Sequence, residues 1–323
     1  MRKTFIAILC ITFIVLAFLD INAFIGGGRA GFQMFYMNVL PVLFPFFFVT
    51  SMLTEIGFFN FRPRLGVFCL SLVGGYPTSA RMLAELHERG EMSQQAAIHT
   101  ATFTSTASPI FVITMGATIF GSVTFGVLVF IAMVVGALLN GFLYRGWLTH
   151  SLCTHRSNTT QIATDEKDST VLGDMYLSAC VHKKRVATPQ ASSTAELSIG
   201  DAFPRALQSA ITSIMSVGGL IVLFFIVGNQ IDALLGLGGA ADVVLSGTLE
   251  MTAGVFRLGE LGADLVIAFI ACVAILSFGG LCVAMQGFLF LKRIGMSFRF
   301  YLLYKVTHTI LSVGIGLLLW ALF

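Results

Sequence analysis

The chain has 323 residues, 56% of them hydrophobic and 11% charged, with a formal net charge of +3 and a mean hydropathy of +0.90. Soluble domains carry about 25% charged residues, so this composition excludes a soluble globular protein and reads as a polytopic membrane protein. The basic residues are scattered between apolar runs, which gives no support to nucleic-acid binding and suits orientation in a bilayer.

Met1-Arg2-Lys3 opens the chain and precedes an apolar run from Thr4 to Phe24. That run exceeds the roughly 7–15 residues of a signal-peptide core, and Asn22-Ala23-Phe24 is a poor cleavage site, which predicts a retained membrane helix. Gly26-Gly27-Gly28 then reads as a loop. Further runs able to span, at about 20 residues each, cover 32–58, 100–120, 122–144, 211–231 and 300–323, and 265–291 qualifies as a broken helix. The segment Leu65–Leu72 differs, because about eight apolar residues give only roughly 12 Å of helical rise before Gly74-Gly75. Such a segment cannot cross before it breaks, and it predicts a re-entrant hairpin with Gly74–Pro77 near its tip.

After that tip, Ser79–Gly90 carries Arg81, Glu85, His87, Glu88 and Arg89. The spacing predicts a surface helix with i,i+4 pairs, ended by Gly90, with Ser93 capping the helix that follows. Residues 146–200 are polar and rich in Ser and Thr, and they read as a flexible linker between two halves. Placing Arg2-Lys3, Arg62/Arg64, Lys183–Arg185 and Lys292-Arg293 in the cytoplasm satisfies the positive-inside rule, and it gives the two halves opposite orientation. Each half offers a helix, a Leu-Ser…Gly-Gly stretch, a charged turn and a helix with hydroxyl residues. On this alignment Ala240–Arg257 is an insertion in the second half and forms a second re-entrant hairpin.

Glu250 lies in that insertion, between Gly247 and Gly254 and beside Thr248 and Thr252. An acid at membrane depth binds a cation, relays a proton or bonds a polar solute. Thr102, Ser105, Thr106 and Pro109 fall at spacings that share a helix face, and Pro109 leaves the Ser105 carbonyl without its helical donor. Tyr76, Pro77, Thr78 and Ser79 follow the first break; Ser277 precedes and Gln286 follows the second, at Gly279-Gly280. Half-helix ends at such breaks present backbone charge to polar ligands. The pathway candidates are therefore Gly74–Ser79, Thr102, Ser105, Thr106, Glu250, Thr252, Ser277, Gly279, Gly280 and Gln286.

Other patterns carry less. Cys10, Cys69, Cys272 and Cys282 sit in apolar runs as small hydrophobes, and Cys153 and Cys180, each two residues before a histidine (His155, His182), do not have a standard zinc spacing. His87-Glu88 lacks the second histidine of a zinc-protease motif, since Glu91 stands there. His308 with Lys305 in the last helix offers a proton site as one reading; the preferred one is a lysine that snorkels to the interface. No metal, cofactor or catalytic constellation is expected, and the chain is not read as an enzyme.

The segments Val73-Gly74-Gly75-Tyr76-Pro77-Thr78-Ser79-Ala80-Arg81, Phe103–Pro109, Leu249–Gly254 and Leu276–Leu281 resemble, in order, those of the YlbJ-like sporulation integral membrane proteins, which contain the nucleoside-recognition or Gate domain. The family tends to have asparagines where Ser105 and Thr106 stand. The resemblance implies an all-α, polytopic helical membrane protein of the bacterial inner membrane, with two inverted Gate-type repeats, broken helices and re-entrant hairpins. Its parts would be an N-terminal helix at 1–31, a first repeat at 32–145, the linker at 146–200 and a second repeat at 201–323. It also implies a place in spore formation. The expected function is that of a transporter or permease for a polar small solute or ion; the alternative is a non-transporting scaffold for the spore envelope. The expected partners are the lipid bilayer, the solute, and other sporulation membrane proteins or a second copy.

Overall fold

The computed structural model describes residues 11, 13–15, 17–56, 63–162 and 199–322. Among them there is no strand, and five helices are long and apolar enough to cross a membrane: Gln94–Phe120, Val123–Arg145, Gly200–Leu235, Leu265–Ile294 and Phe298–Leu322. The expected positions Arg2-Lys3, Cys10, Arg62, Cys180, His182 and Lys183–Arg185, and the side chains of Cys153 and His155, lie outside the described residues.

The N-terminal part departs from the expected pair of spans at 4–24 and 32–58. Helix α1 runs Ile21–Met34, a π-helical turn covers Phe35–Val39, and α2 runs Leu40–Glu55. The break falls at Asp20, whose carboxylate accepts from the Ala23 N–H at 2.9 Å and so caps α1. The π turn precedes Pro41, which has no N–H to continue the regular ladder, and the Leu40 N–H donates to the Phe35 carbonyl instead. The triglycine is helical rather than a loop, because α1 lies directly on helix α8 (Ile199–Leu235). A Cβ on Gly27 would come within 2.8 Å of the Ile226 Cα, and one on Gly31 within 2.8 Å of the Val222 Cα. Glycines four apart allow this approach, which drives helix association where lipid removes the hydrophobic term. Asn229 and Gln230 of α8 fasten the start of α1 by donating to the Ala23 and Asp20 carbonyls, each at 2.8 Å. Farther along, Phe35 sits over Gly218 and Phe48 over Phe203. Residues 21–55 thus form one run antiparallel to α8.

Next come two short helices, α3 (Pro63–Gly74) and α4 (Tyr76–Glu88), separated by Gly75 and packed on each other. The expected break is present, and Gly90 and Ser93 end and begin helices as anticipated. The surface helix is not: Tyr76–Ala84 and Leu86 are buried, because α4 inserts between α2, α3 and helix α12 (Gly280–Leu291). The continuous span expected at 100–120 is also broken, into α5 (Gln94–Thr104) and α6 (Pro109–Phe120). Pro109 and the Ser108 cap, which accepts from the Phe111 N–H at 3.4 Å, start a new helix where one continuous helix was expected. Thr102 and Ser105 therefore do not share a helical face with Thr106 and Pro109. Helix α7 (Val123–Ile162) continues into the stretch read as linker, and α8 begins within that stretch's last residues.

The second half has the same element order. After α8 come α9 (Ala240–Leu249) and α10 (Met251–Glu260), separated by Glu250, then α11 (Leu265–Phe278) and α12, broken at Gly279, and finally α13 (Phe298–Leu322). Gly247 and Gly254 let α9 and α10 close on each other, since a Cβ on Gly254 would overlap the Gly247 backbone. In element order, then, the break at Gly75 corresponds to that at Glu250, and the break at 105–108 to that at Gly279. The 240–257 segment is the counterpart of α3–α4 rather than an insertion. Packing follows the same correspondence: α4 lies on α12, and α10 lies on α6.

Candidate functional site

Both helix-pair breaks close on one cavity of about 280 Å³. Gly75 holds φ 75° and ψ −166°, a conformation that a side chain would strain, and Pro77 in the first turn of α4 lacks an N–H. The chain must therefore break there, and the tip leans on the break at 105–108: a Cβ on Gly75 would reach 3.3 Å from the Ser108 nitrogen. Tyr76, also at the tip, donates its hydroxyl to the Leu276 carbonyl near the end of α11.

At the other tip, Glu250 has extended backbone (φ −145°, ψ 120°) and caps α10. One carboxylate oxygen accepts from the Ala253 N–H at 2.8 Å, the other from the Thr252 hydroxyl at 3.0 Å. Glu250 is 5% exposed, and it is the one charged side chain among the described residues lining the cavity. The tip packs on the start of α12, where a Cβ on Gly280 would meet the Gly247 and Leu249 carbonyls and the Met251 nitrogen at 3.2 Å each. Along α12, Gln286 lines the cavity and donates to the Cys282 sulfur at 3.2 Å.

Of the anticipated pathway residues, Gly74, Gly75, Tyr76, Pro77, Glu250, Thr252 and Gln286 line this cavity. Thr78, Ser79 and Thr102 lie outside the lining and turn their hydroxyls back onto the carbonyls of Gly74, Tyr76 and His99. Ser105 donates to Ala101 and shares a 3.1 Å contact with the Tyr304 hydroxyl, and Ser277 donates to Val273. Thr106 is buried, with no hydrogen-bond partner for its hydroxyl among the described residues. Gly279 supports the wall from behind, with Tyr76 3.4 Å from where its Cβ would be. The sequence reasoning missed Asn38, Ser108, Thr114 and the methionines 34, 37, 115 and 251, all in the lining. Asn38 was detectable as a lone amide in an apolar run; the methionines carry no signal apart from their fold position.

Behind the cavity the two broken spans meet at Lys305. It is 1% exposed, buried rather than snorkelling. Its Nζ donates to the Ser277 carbonyl at 2.6 Å and to the Ser105 carbonyl at 3.3 Å, and it lies 4.5 Å from the centre of the Tyr76 ring. The Ser105 acceptor released by Pro109 is thus taken by a lysine. One turn on, His308 is buried and its Nε2 lies 3.0 Å from the Met133 carbonyl.

Two charged clusters flank this middle region. At the Arg205 end of α8, Arg81 (2% exposed) donates to Glu85 at 2.8 Å, to Ser209 at 2.6 Å and to Ser51. Arg89 and Arg205 there share Glu55, and Arg293 pairs with Glu88. At the other end Arg257 pairs with Asp232 at 3.3 Å and Asp242 at 3.1 Å. Arg205 and Asp232 lie on one helix about 40 Å apart at 1.5 Å per residue, close to the thickness of a bilayer with its headgroups.

Part of the chain is similar to the sporulation integral membrane protein YlbJ of Bacillus subtilis (strain 168), with 28% identity over 109 residues, covering 29% of this chain and 26% of that protein. The matched region is thus about a quarter of the relative's length. No family model matches the chain, and no solved structure matches it. The apolar helices and the similarity to an integral membrane protein together make this a multi-pass membrane protein.

Proposed function

We propose that the protein is a carrier of the bacterial cell membrane that moves a polar small solute through the cavity between the two tips. The observation that carries this is the convergence of two broken helix pairs on one cavity whose lining holds a single charged side chain, Glu250. Non-helical backbone at membrane depth is tolerated where it lines a cavity or is buried in protein, and matched breaks in two halves mark the binding site of carriers built on inverted repeats. The ion pairs support the inversion. The base of α3–α4 is tied to the Arg205 end of α8 through Arg89 and the shared Glu55, whereas the base of α9–α10 is tied to the Asp232 end through Arg257. On this reading both pairs are re-entrant hairpins that enter from opposite faces, with the Arg205 end cytoplasmic.

Glu250, Thr252 and Gln286 would bind the solute or a coupling ion, and the backbone at Gly74–Tyr76 would complete the site. Spore formation is the proposed setting, by the printed name of the relative. Uptake or efflux by the purified chain in proteoliposomes tests the proposal, screened across nucleosides, amino acids and divalent metals. Flux is expected to fall at least tenfold in Glu250→Gln, a loss of about 1.4 kcal/mol of interaction; unchanged flux in a folded variant would remove Glu250 from the mechanism.

A second reading, a membrane scaffold for spore-envelope assembly with other membrane proteins or a second copy, is favoured by one feature. Both oxygens of Glu250 are already engaged at the start of α10, one by the Ala253 N–H and the other by the Thr252 hydroxyl. That reading predicts normal spore formation in Glu250→Gln and Thr252→Ala, with a defect confined to variants that disturb helix packing.

A further inference from the structure

The C-terminal ends of α5 and α11 point at each other across the middle of the molecule, where Ser105 and Ser277 present their carbonyls to one ammonium. Each helix C-terminus carries about half a negative charge, so two of them call for about one positive charge. Lys305 supplies it. None of the ion pairs among the described residues includes this lysine. Its contacts are two backbone oxygens and the face of Tyr76, the ring of the first tip.

In carriers with broken helices, half-helix C-termini and unwound carbonyls are the ligands of the coupling cation. Here the ligand set is present, and a side chain of the last helix has its charge in the middle of it. We infer that Lys305 is a tethered cation that takes the place of a bound alkali ion at the crossing of the two broken spans. The crossing is then neutralised by the chain's own ammonium group, and the protein has no need of sodium or potassium at this point. Glu250, on the other side of the Tyr76 tip, is left as the charged group of the cavity that can engage an ion or a solute. The functional meaning of this assignment rests on the carrier reading; its test does not, because it reads cation binding rather than flux.

The test compares the thermal unfolding of the full chain in detergent at constant ionic strength, with choline chloride replaced by sodium, potassium or ethylammonium chloride. The wild type is expected to melt at the same temperature in all four. Lys305→Ala, which opens room for a free cation among the same carbonyls, is expected to melt about 5 °C lower or more in choline. It should recover at least half of that loss, saturably, in ethylammonium or an alkali salt. A Lys305→Ala protein indifferent to the cation, or a wild type that gains as much as the variant, would overturn the inference. If Lys305→Ala does not fold, Lys305→Gln, which keeps an N–H donor and removes the charge, is put through the same series. A selective gain in an added cation supports the assignment and its absence overturns it. Failure of wild-type flux would sink the carrier reading alone, whereas flux-competent protein without cation rescue would sink this one alone.

Discussion

Gly75 shows what a single residue can impose on this molecule. Its positive φ is costly for any side chain, and the Ser108 backbone stands where a Cβ would press. Gly75→Ala is therefore expected to destabilise the protein by about 1–3 kcal/mol, read as a lower unfolding midpoint in detergent. Gly219→Ala on α8, where a Cβ meets nothing within 4 Å, should leave the midpoint unchanged or raise it. Equal effects would mean that the break at Gly75 is not held as described. At this scale the sequence was informative where chemistry is local. Gly75, Gly90, Ser93 and the Arg81–Glu85 pair can be found from neighbours within four positions. Lys305 could not, because its partners lie 200 and 28 residues away. A lysine with apolar neighbours near one end of a helix looks like an interfacial residue until the fold brings two helix ends to it.

At the scale of elements, the existence of breaks was legible but not their pairing. Leu-Ser…Gly-Gly occurs around both Gly75 and Gly279, and the similarity suggested that these two are equivalent. The element order instead pairs Gly75 with Glu250, and the 105–108 break with Gly279. Equivalent breaks are made by different means: a positive-φ glycine against a carboxylate cap, and a Ser-Pro start against a left-handed glycine. Breaks at the same places in the element order but made from unlike residues leave no repeat for a sequence comparison to find. The triglycine misled for a related reason. Glycine ends helices in water, yet Gly27 and Gly31 serve here as a smooth face against α8. The same physics gives a prediction for the second pair. Gly254→Ala should force α9 from α10, at a cost of about 1–3 kcal/mol for overpacking, and lower the unfolding midpoint accordingly. Gly259→Ala, whose Cβ would meet only Ile119 at 3.7 Å, should be neutral; a neutral Gly254→Ala would contradict the close crossing.

At the scale of the whole molecule, two charged clusters bracket an apolar middle, and each holds the base of one broken helix pair. The composition foreshadowed a multi-pass membrane protein, and the arrangement of basic residues is one ground for the proposal that its halves have opposite sense. The meeting of the two tips at one cavity depends on tertiary contacts that no periodicity encodes. Everything proposed for the function depends on that meeting and on the two pairs entering from opposite faces, since the carrier reading rests on inverted repeats. The most direct measurement is labelling with a membrane-impermeant thiol reagent in cells and in inverted vesicles, on a background with the six native cysteines replaced. Single cysteines are placed at Glu91, just beyond the base of α4, and at Glu260, the base of α10, both exposed. The account predicts labelling of the cysteine at 91 from the cytoplasmic side alone and of that at 260 from the opposite side alone; labelling of both from one side would contradict it.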